Sequence, residues 1–259
     1  MKISCALASA IILALCAIPA NAQANRTWVS GNGSDTNTCT LAAPCASFQG
    51  ALAYTNASGE IDCLNPGDFG GSSHTVTLVQ SDSIVCDGVS NGGILATGGA
   101  AITINAFPNS VVYLSGLDLE GGTTGTVGVD VQAAATVYIV HCTIRGFGTA
   151  GVGVRTSGNT RVIIKDSIIV NNTLGIAVEA QGGATNAAII LNTVIDGNSS
   201  IAAGAVGTSG TSTVALTNSV LSGSPIGLDL VNGGTAVLIG PSNVIAGAIN
   251  GSPTSVAFK

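Results

Sequence analysis

Apolar positions recur along this chain at a fixed interval: Leu119, Ile144, Ile169, Ile195, Leu221 and Ile245 stand 24 to 26 residues apart. A second column runs beside it through Leu114, Ile139, Ile164, Ile190 and Leu216, and a third is read through Val131, Val154, Val178, Val206 and Leu230. Within each repeat the apolar residues alternate with period two, as in Val129-Asp130-Val131, Val152-Gly153-Val154, Ile176-Ala177-Val178 and Leu228-Asp229-Leu230, the mark of a strand with one buried face. No helical spacing appears inside the repeat, so each one reads as a turn of a β-solenoid.

Between the first two columns lies a position held by Gly116, His141, Asp166, Asn192 and Asn218, and just after the second lies Gly121, Gly146, Asn171, Gly197 and Gly223. These residue types tolerate positive φ, so both positions are predicted to be left-handed kinks that divide each coil into three short strands. Every coil travels the same way around the axis, so equivalent strands pair in parallel, and parallel crossovers are overwhelmingly right-handed. The predicted fold is all-β: a right-handed single-stranded parallel β-helix, a rod roughly 35 to 45 Å long for about eight coils.

The segment before Val111 is less regular. Val76 to Leu78, Ile84 to Cys86, Ile94-Leu95 and Ile102 to Ile104 have strand character with looser spacing and read as first coils with variable turns. Ser47 to Tyr54 reads as a short amphipathic helix with Ser47 as N-cap, and Phe48, Ala51, Leu52 and Trp28 are candidates to plug the first coil. Beyond Leu230 the pattern fades through Pro241, Gly247, Gly251 and Pro253.

Met1 to Ala22 carries Lys2, an apolar run and a terminal Ala20-Asn21-Ala22, which reads as a secretory signal too short to span a bilayer. The bulky Leu15 before Cys16 argues against lipoprotein processing. The expected layout is a signal over 1–22, an N-terminal cap over 23–60, coils over 61–235, and a last coil and tail over 236–259. No later stretch suits a membrane helix, so the mature protein is expected to be exported, either secreted or held in the periplasm or cell envelope.

Charged residues make up only 8% of the chain and aromatics 3%, with 36 glycines, so the interior is expected to be thin and filled by stacked aliphatic side chains. Thirteen acidic against seven basic residues, with no basic cluster, excludes nucleic acid and anionic membranes as expected partners. In an oxidising compartment Cys39 and Cys45 can close a small loop, and Cys63 and Cys86, one repeat apart, can bond between neighbouring coils. Cys142 then stands alone, and its equivalents Leu117, Ser167, Thr193 and Ser219 mark it as a small buried residue rather than a reactive thiol.

The opening Thr27-Trp28-Val29-Ser30-Gly31-Asn32-Gly33-Ser34-Asp35, followed by Cys39, Ala43-Pro44-Cys45-Ala46-Ser47-Phe48, Gly59-Glu60-Ile61-Asp62 and Asn65-Pro66-Gly67, resembles secreted bacterial right-handed β-helix proteins of the pectin-lyase-like superfamily. The resemblance continues through the repeats and implies the fold and an extracellular setting; it does not settle function. Lyases of that superfamily use acidic side chains to hold calcium and an Arg or Lys to take a proton, and its hydrolases cluster Asp residues near Gly-His-Gly. This chain has no Arg-Xaa-Pro-Xaa-Xaa-Arg, Asn-Thr-Asp, adjacent Asp-Asp or Gly-His-Gly, and calcium is expected only if it is lyase-like.

The remaining charges are placed by register. Glu120 and Arg145 are expected one coil apart at the same position, as are Arg155 and Glu179, forming surface ion pairs worth about 0–1 kcal/mol each. Asp118, Glu120, Asp130, Arg145 and Arg155 together form a candidate polar strip for contact with a sugar chain, and Asp118, Glu120 and Asp130 are a candidate cation set if the intervening loop folds back. His74, in a Gly/Ser-rich loop, and His141, in a kink, are too far apart for a zinc site. The outward series Asp118, Thr143, Ile168, Val194 and Val220 turns apolar toward the C-terminus and is a candidate docking row. The leading expectation is a non-catalytic protein that binds carbohydrate or the cell surface through a sheet face. The alternatives are a polysaccharide lyase or hydrolase acting on acidic polysaccharide, and a structural or adhesive rod.

Overall fold

A computed structural model describes residues 23–257 except Thr123, Ala135, Thr149 and Ala150; the segment read as a signal lies outside the described residues. After two successive strands in one sheet, Ala24–Val29 and Thr55–Cys63, the chain winds through three parallel sheets in rotation. A ten-stranded sheet runs from Ala24–Val29 to Thr254–Val256, an eight-stranded sheet of short strands from Gly67–Asp68 to Val244–Ile245, and a third, also eight-stranded, from Val76–Leu78 to Ala248–Asn250. One coil comprises Val111–Ser115, Asp118–Glu120 and Val127–Ala133; the next lays Thr136–Val140, Thr143–Arg145 and Val152–Thr156 directly over them. The coils continue past Leu230, where the sequence pattern fades, to Val256.

Two of the three predicted columns superimpose. Leu114, Ile139, Ile164, Ile190 and Leu216 are in register and fully buried. So are Leu119, Ile144, Ile169, Ile195 and Leu221, with Ile245 partly buried at the end. Burying each such side chain contributes about 1.5–3 kcal/mol. The third column is corrected: Val131 lies beside Thr156, Val178, Ala205 and Leu230, whereas Val154 belongs with Val129, Ile176, Ala203 and Leu228, and Val206 is one position further on beside Glu179. The turn before this strand changes length between coils, eight positions from Leu119 to Val127 and five from Ile169 to Leu174, and a period-two pattern hides a slip of two.

The corners follow the residue types. Gly116, His141, Asp166, Asn192 and Asn218 all have φ between 48° and 70°. At the second corner Gly146, Asn171, Gly197 and Gly223 are left-handed, but in the preceding coil Gly122 takes that conformation instead of Gly121. The turn into the third sheet has its own rule. Gly128, Gly153, Gly175 and Gly227 point their missing side chains at the Cγ2 methyls of Ile144, Ile169, Ile195 and Ile245 on the next coil, while the positions in register with Gly128 and Gly175, Ala101 and Ala202, belong to coils whose next column residue is Leu119 and Leu221. Leucine carries no methyl on its Cβ, so an alanine fits where isoleucine demands glycine.

Polar ladders run inside the solenoid. Asn198 Oδ1 accepts from Asn172 N at 3.0 Å and Nδ2 at 3.1 Å, and Asn172 Oδ1 accepts from Phe147 N. Ser167, Thr193 and Ser219 each donate a hydroxyl to the carbonyl two residues back, at 2.8 to 2.9 Å. Buried polar groups stacked this way satisfy one another, coil by coil.

The N-terminal end is closed by helix α1, Phe48–Leu52, whose N-cap Ser47 accepts from Gly50 N at 3.0 Å and donates to Asp35 Oδ2 at 2.7 Å. Phe48 and Ala51 are buried, and the Phe48 ring meets Phe69 at 5.1 Å. Trp28 is no plug: Thr27 and Val29 face inward, so Trp28 faces out and is half-buried. Cys39 bonds to Cys45 and Cys63 to Cys86, the second across adjacent coils.

Candidate functional site

The short-strand sheet presents its outer face through two adjacent columns. One runs Asp68, Gly93, Asp118, Thr143, Ile168, Val194, Val220, Val244; the other runs Leu95, Glu120, Arg145, Val170, Asp196, Ser222. The N-terminal half of this face is polar and hollowed; in the C-terminal half the first column turns apolar, with Ile168 45% and Val194 40% exposed, while the second still carries Asp196 and Ser222. The hollow is a depression of about 340 Å³ walled by Asp68, Leu95, Asp118, Glu120 and Arg145. Gly93 forms its floor, and a Cβ there would collide with the Asp118 carbonyl oxygen. Glycine therefore leaves a one-residue gap in the column between two carboxylates.

Those carboxylates are differently held. Asp68 Oδ1 accepts from Gly70 N at 3.1 Å and Leu95 N at 3.2 Å, leaving Oδ2 turned toward His74 Nδ1 at 3.6 Å. Asp118 accepts two hydrogen bonds from Arg145, at 3.1 Å from Nε and 3.0 Å from Nη2, while Glu120 meets the same guanidinium at 2.8 Å. The hydrogen bond and charge of Asp118, with Glu120 adding to them, push Arg145 further above its ordinary range despite partial desolvation. Arg145 is a fixed cation and a poor proton acceptor.

The candidate strip divides into two groups. Asp118, Glu120 and Arg145 share the depression, and Glu120 and Arg145 stack as expected. Asp130 and Arg155 lie around the corner on the third sheet, paired in register and joined by two hydrogen bonds of 2.8 Å. Asp130 is buried, which by itself raises its pKa, but hydrogen bonds from Arg155 and Gln132 outweigh that and hold it below the ordinary carboxylate range. The expected stacking of Arg155 on Glu179 is corrected: Arg155 lies over Ala177, because the third column slips by two. The cation set of Asp118, Glu120 and Asp130 does not assemble, since the chain turns into a different sheet between Glu120 and Val127. Among the described residues no three His, Cys, Asp or Glu side chains stand together in a way that would hold a metal ion.

Asp68 escaped the sequence reading, and His74, weighed only as a zinc ligand, was not placed beside it, because the first coils have irregular turns. The signal was there: Gly67-Asp68 follows the Cys63 strand much as Asp118 follows Ser115. A pair of tyrosines was also missed. Tyr113 and Tyr138 stack on the outer face of the ten-stranded sheet with ring centroids 6.1 Å apart. Elsewhere an exposed ladder follows the first corner, with His141 Nδ1 3.2 Å from Asp87, its Nε2 3.8 Å from Asp166, and Asn218 donating to Asn192 at 2.9 Å.

A parallel solenoid of three-stranded coils with a polar depression on one face defines the class. Residues 70–244 match the family model described as "Right handed beta helix region", and the chain belongs to that right-handed β-helix family. No curated protein matches the chain. Among solved structures it is similar to "Crystal structure of pectate lyase Pel9A", with 15% identity, 92% of this chain and 79% of that chain covered, and a TM-score of 0.37.

Proposed function

We propose that this is an exported, non-catalytic glycan-binding protein that takes a sugar in the depression between Asp68 and Asp118. The observation that carries the reading is the hollow itself, a glycine-floored gap on a rigid sheet bordered by side chains with spare hydrogen-bonding capacity. Sugar hydroxyls are met by such fixed carboxylates and guanidinium groups. Asp68, Asp118 and Glu120 outnumber Arg145 by three to one, so the site favours neutral or amino sugars and repels polyuronates. Arg145, already shared between two acids, is unsuited to the base role that a lyase would need. Two disulfides suit an oxidising compartment, and among the described residues no helix is long and apolar enough to cross a membrane.

The test is a glycan array carrying neutral, amino and uronate sugars, followed by titration of the best ligand into Glu120→Gln and Asp68→Asn. Binding to neutral or amino sugars, weakened roughly tenfold by either substitution, is expected. Conversion of a polyuronate into an unsaturated, ultraviolet-absorbing product would overturn this reading in favour of a lyase.

A further inference from the structure

A second pocket, unrelated to the depression, lies where the cap meets the first coils. It is about 230 Å³ and is lined by Gln23, Gln49, Leu52, Thr77, Gln80 and Asp82. Asp82 occupies the inward column that continues through Val112, Val137, Val162, Ala188 and Val214, all fully buried. A carboxyl stands where every one of those coils places an aliphatic group. Asp82 is 2% exposed; its Oδ1 accepts from Gln80 Nε2 at 3.3 Å and its Oδ2 has no partner.

Among the described residues, the surroundings offer no charge to balance it. Helix α1 carries no ionisable residue and neither does the strand Val76–Leu78. The strand Thr55–Cys63 contributes Glu60 and Asp62, and both are engaged by Arg26. A buried carboxylate whose only polar neighbours in the pocket are carboxamides and a threonine is an acceptor site for a cationic donor. The pocket admits a small one, and Gln23 forms part of its wall.

We propose that this pocket is a primary-ammonium site, and that its occupant is the α-amino group of Gln23 once the segment ending at Ala22 has been removed. An α-amino group is protonated at neutral pH and supplies three donors in the space of a methyl group. The ion pair so formed ties the first residue of the mature chain to the floor of the cap. Burial, partly offset by the hydrogen bond from Gln80, pushes the Asp82 pKa up to about 6, so without an ammonium the folded state is favoured at low pH and that contribution is lost as pH rises through about 6. With the ammonium in place the carboxylate is stabilised above that pH.

The experiment compares a chain beginning at Gln23, its mass showing no cyclisation of the terminal glutamine, with one carrying Gly-Ser before Gln23. At about pH 7 the first is expected to melt at least about 2–4 °C higher, the difference shrinking as pH falls below about 6, vanishing below about pH 4, and absent in Asp82→Asn. Asp82→Val, which restores the apolar column, should melt alike in both chain forms. Ethylammonium chloride added to the extended chain should raise its melting temperature and leave the Gln23-initiated chain unchanged. Equal stabilisation of both forms by ethylammonium would retain the site but overturn the terminus as its occupant. Equal melting of the two chain forms with no response to ethylammonium would overturn the proposal altogether.

Discussion

Gly153→Ala tests the corner rule most sharply. The φ of Gly153 is not in the left-handed region, so an alanine is acceptable to the backbone and should by itself stabilise by about 0.4–1 kcal/mol through the unfolded chain. The new Cβ, however, falls 2.7 Å from Ile169 Cγ2 and 2.6 Å from the Gly175 carbonyl oxygen, in a fully buried column. Overpacking of this kind costs about 1–3 kcal/mol, so a net loss of about 1–2 kcal/mol is expected. Ile169→Leu alone should cost under about 1.5 kcal/mol and removes the obstructing methyl. The combination reproduces the Ala–Leu pairing that Ala202 and Leu221 already use, so Gly153→Ala should cost less in the Ile169→Leu background than alone, the contact with the Gly175 carbonyl oxygen remaining. Urea denaturation followed by far-ultraviolet circular dichroism gives the four stabilities of the cycle. A favourable coupling of about 1 kcal/mol or more is expected; additivity within about 0.5 kcal/mol would refute the steric argument.

Other substitutions probe separate parts of the account. Cys142→Ser should cost under about 1.5 kcal/mol, since Ser167 and Ser219 fill the same place in later coils, and the native Cys142 thiol, pushed by burial up to about 12, should resist labelling until the protein unfolds. Arg155→Met strands the buried Asp130 carboxylate on the outer face of the third sheet and should destabilise by about 3–5 kcal/mol at neutral pH. Because Asp130 titrates below its unfolded value, its contribution is present above about pH 4 and lost as pH falls through the folded pKa; a melting profile in which Arg155→Met costs as much at pH 2 as at pH 7 would contradict this. Replacing Cys63 and Cys86 by alanine frees a 23-residue span and should lower stability by about 3 kcal/mol in the same denaturation assay.

The parts of the fold legible in the sequence are those with constant strand length. Between Leu114 and Leu119, and between Ile139 and Ile144, each coil spends the same five residues, so two aliphatic columns and the kink between them could be counted directly. The third column failed because its preceding turn varies and because Ala203 and Ala205 bury too little to stand out against Val206. The Asn172–Asn198 ladder was missed, since nothing local distinguishes an asparagine that tops a coil from one stacked inside it. The site was half legible for the same reason: Asp118, Glu120 and Arg145 lie in regular coils, while Asp68 and His74 lie before them. Asp82 was invisible as an interior residue, since one carboxylate in a short irregular strand gives no sign of its facing.

Every role assigned above depends on one coil lying directly upon the next. Spin labels at Val111 and Thr235, both on the outer face of the ten-stranded sheet and five strands apart in one column, report that stacking through their dipolar coupling. Five parallel spacings predict a narrow distance distribution centred near ~24 Å, with Val111 to Arg161 proportionately shorter at ~10 Å. A broad distribution, or a Val111 to Thr235 separation no longer than that of Val111 to Arg161, would contradict the stacked solenoid.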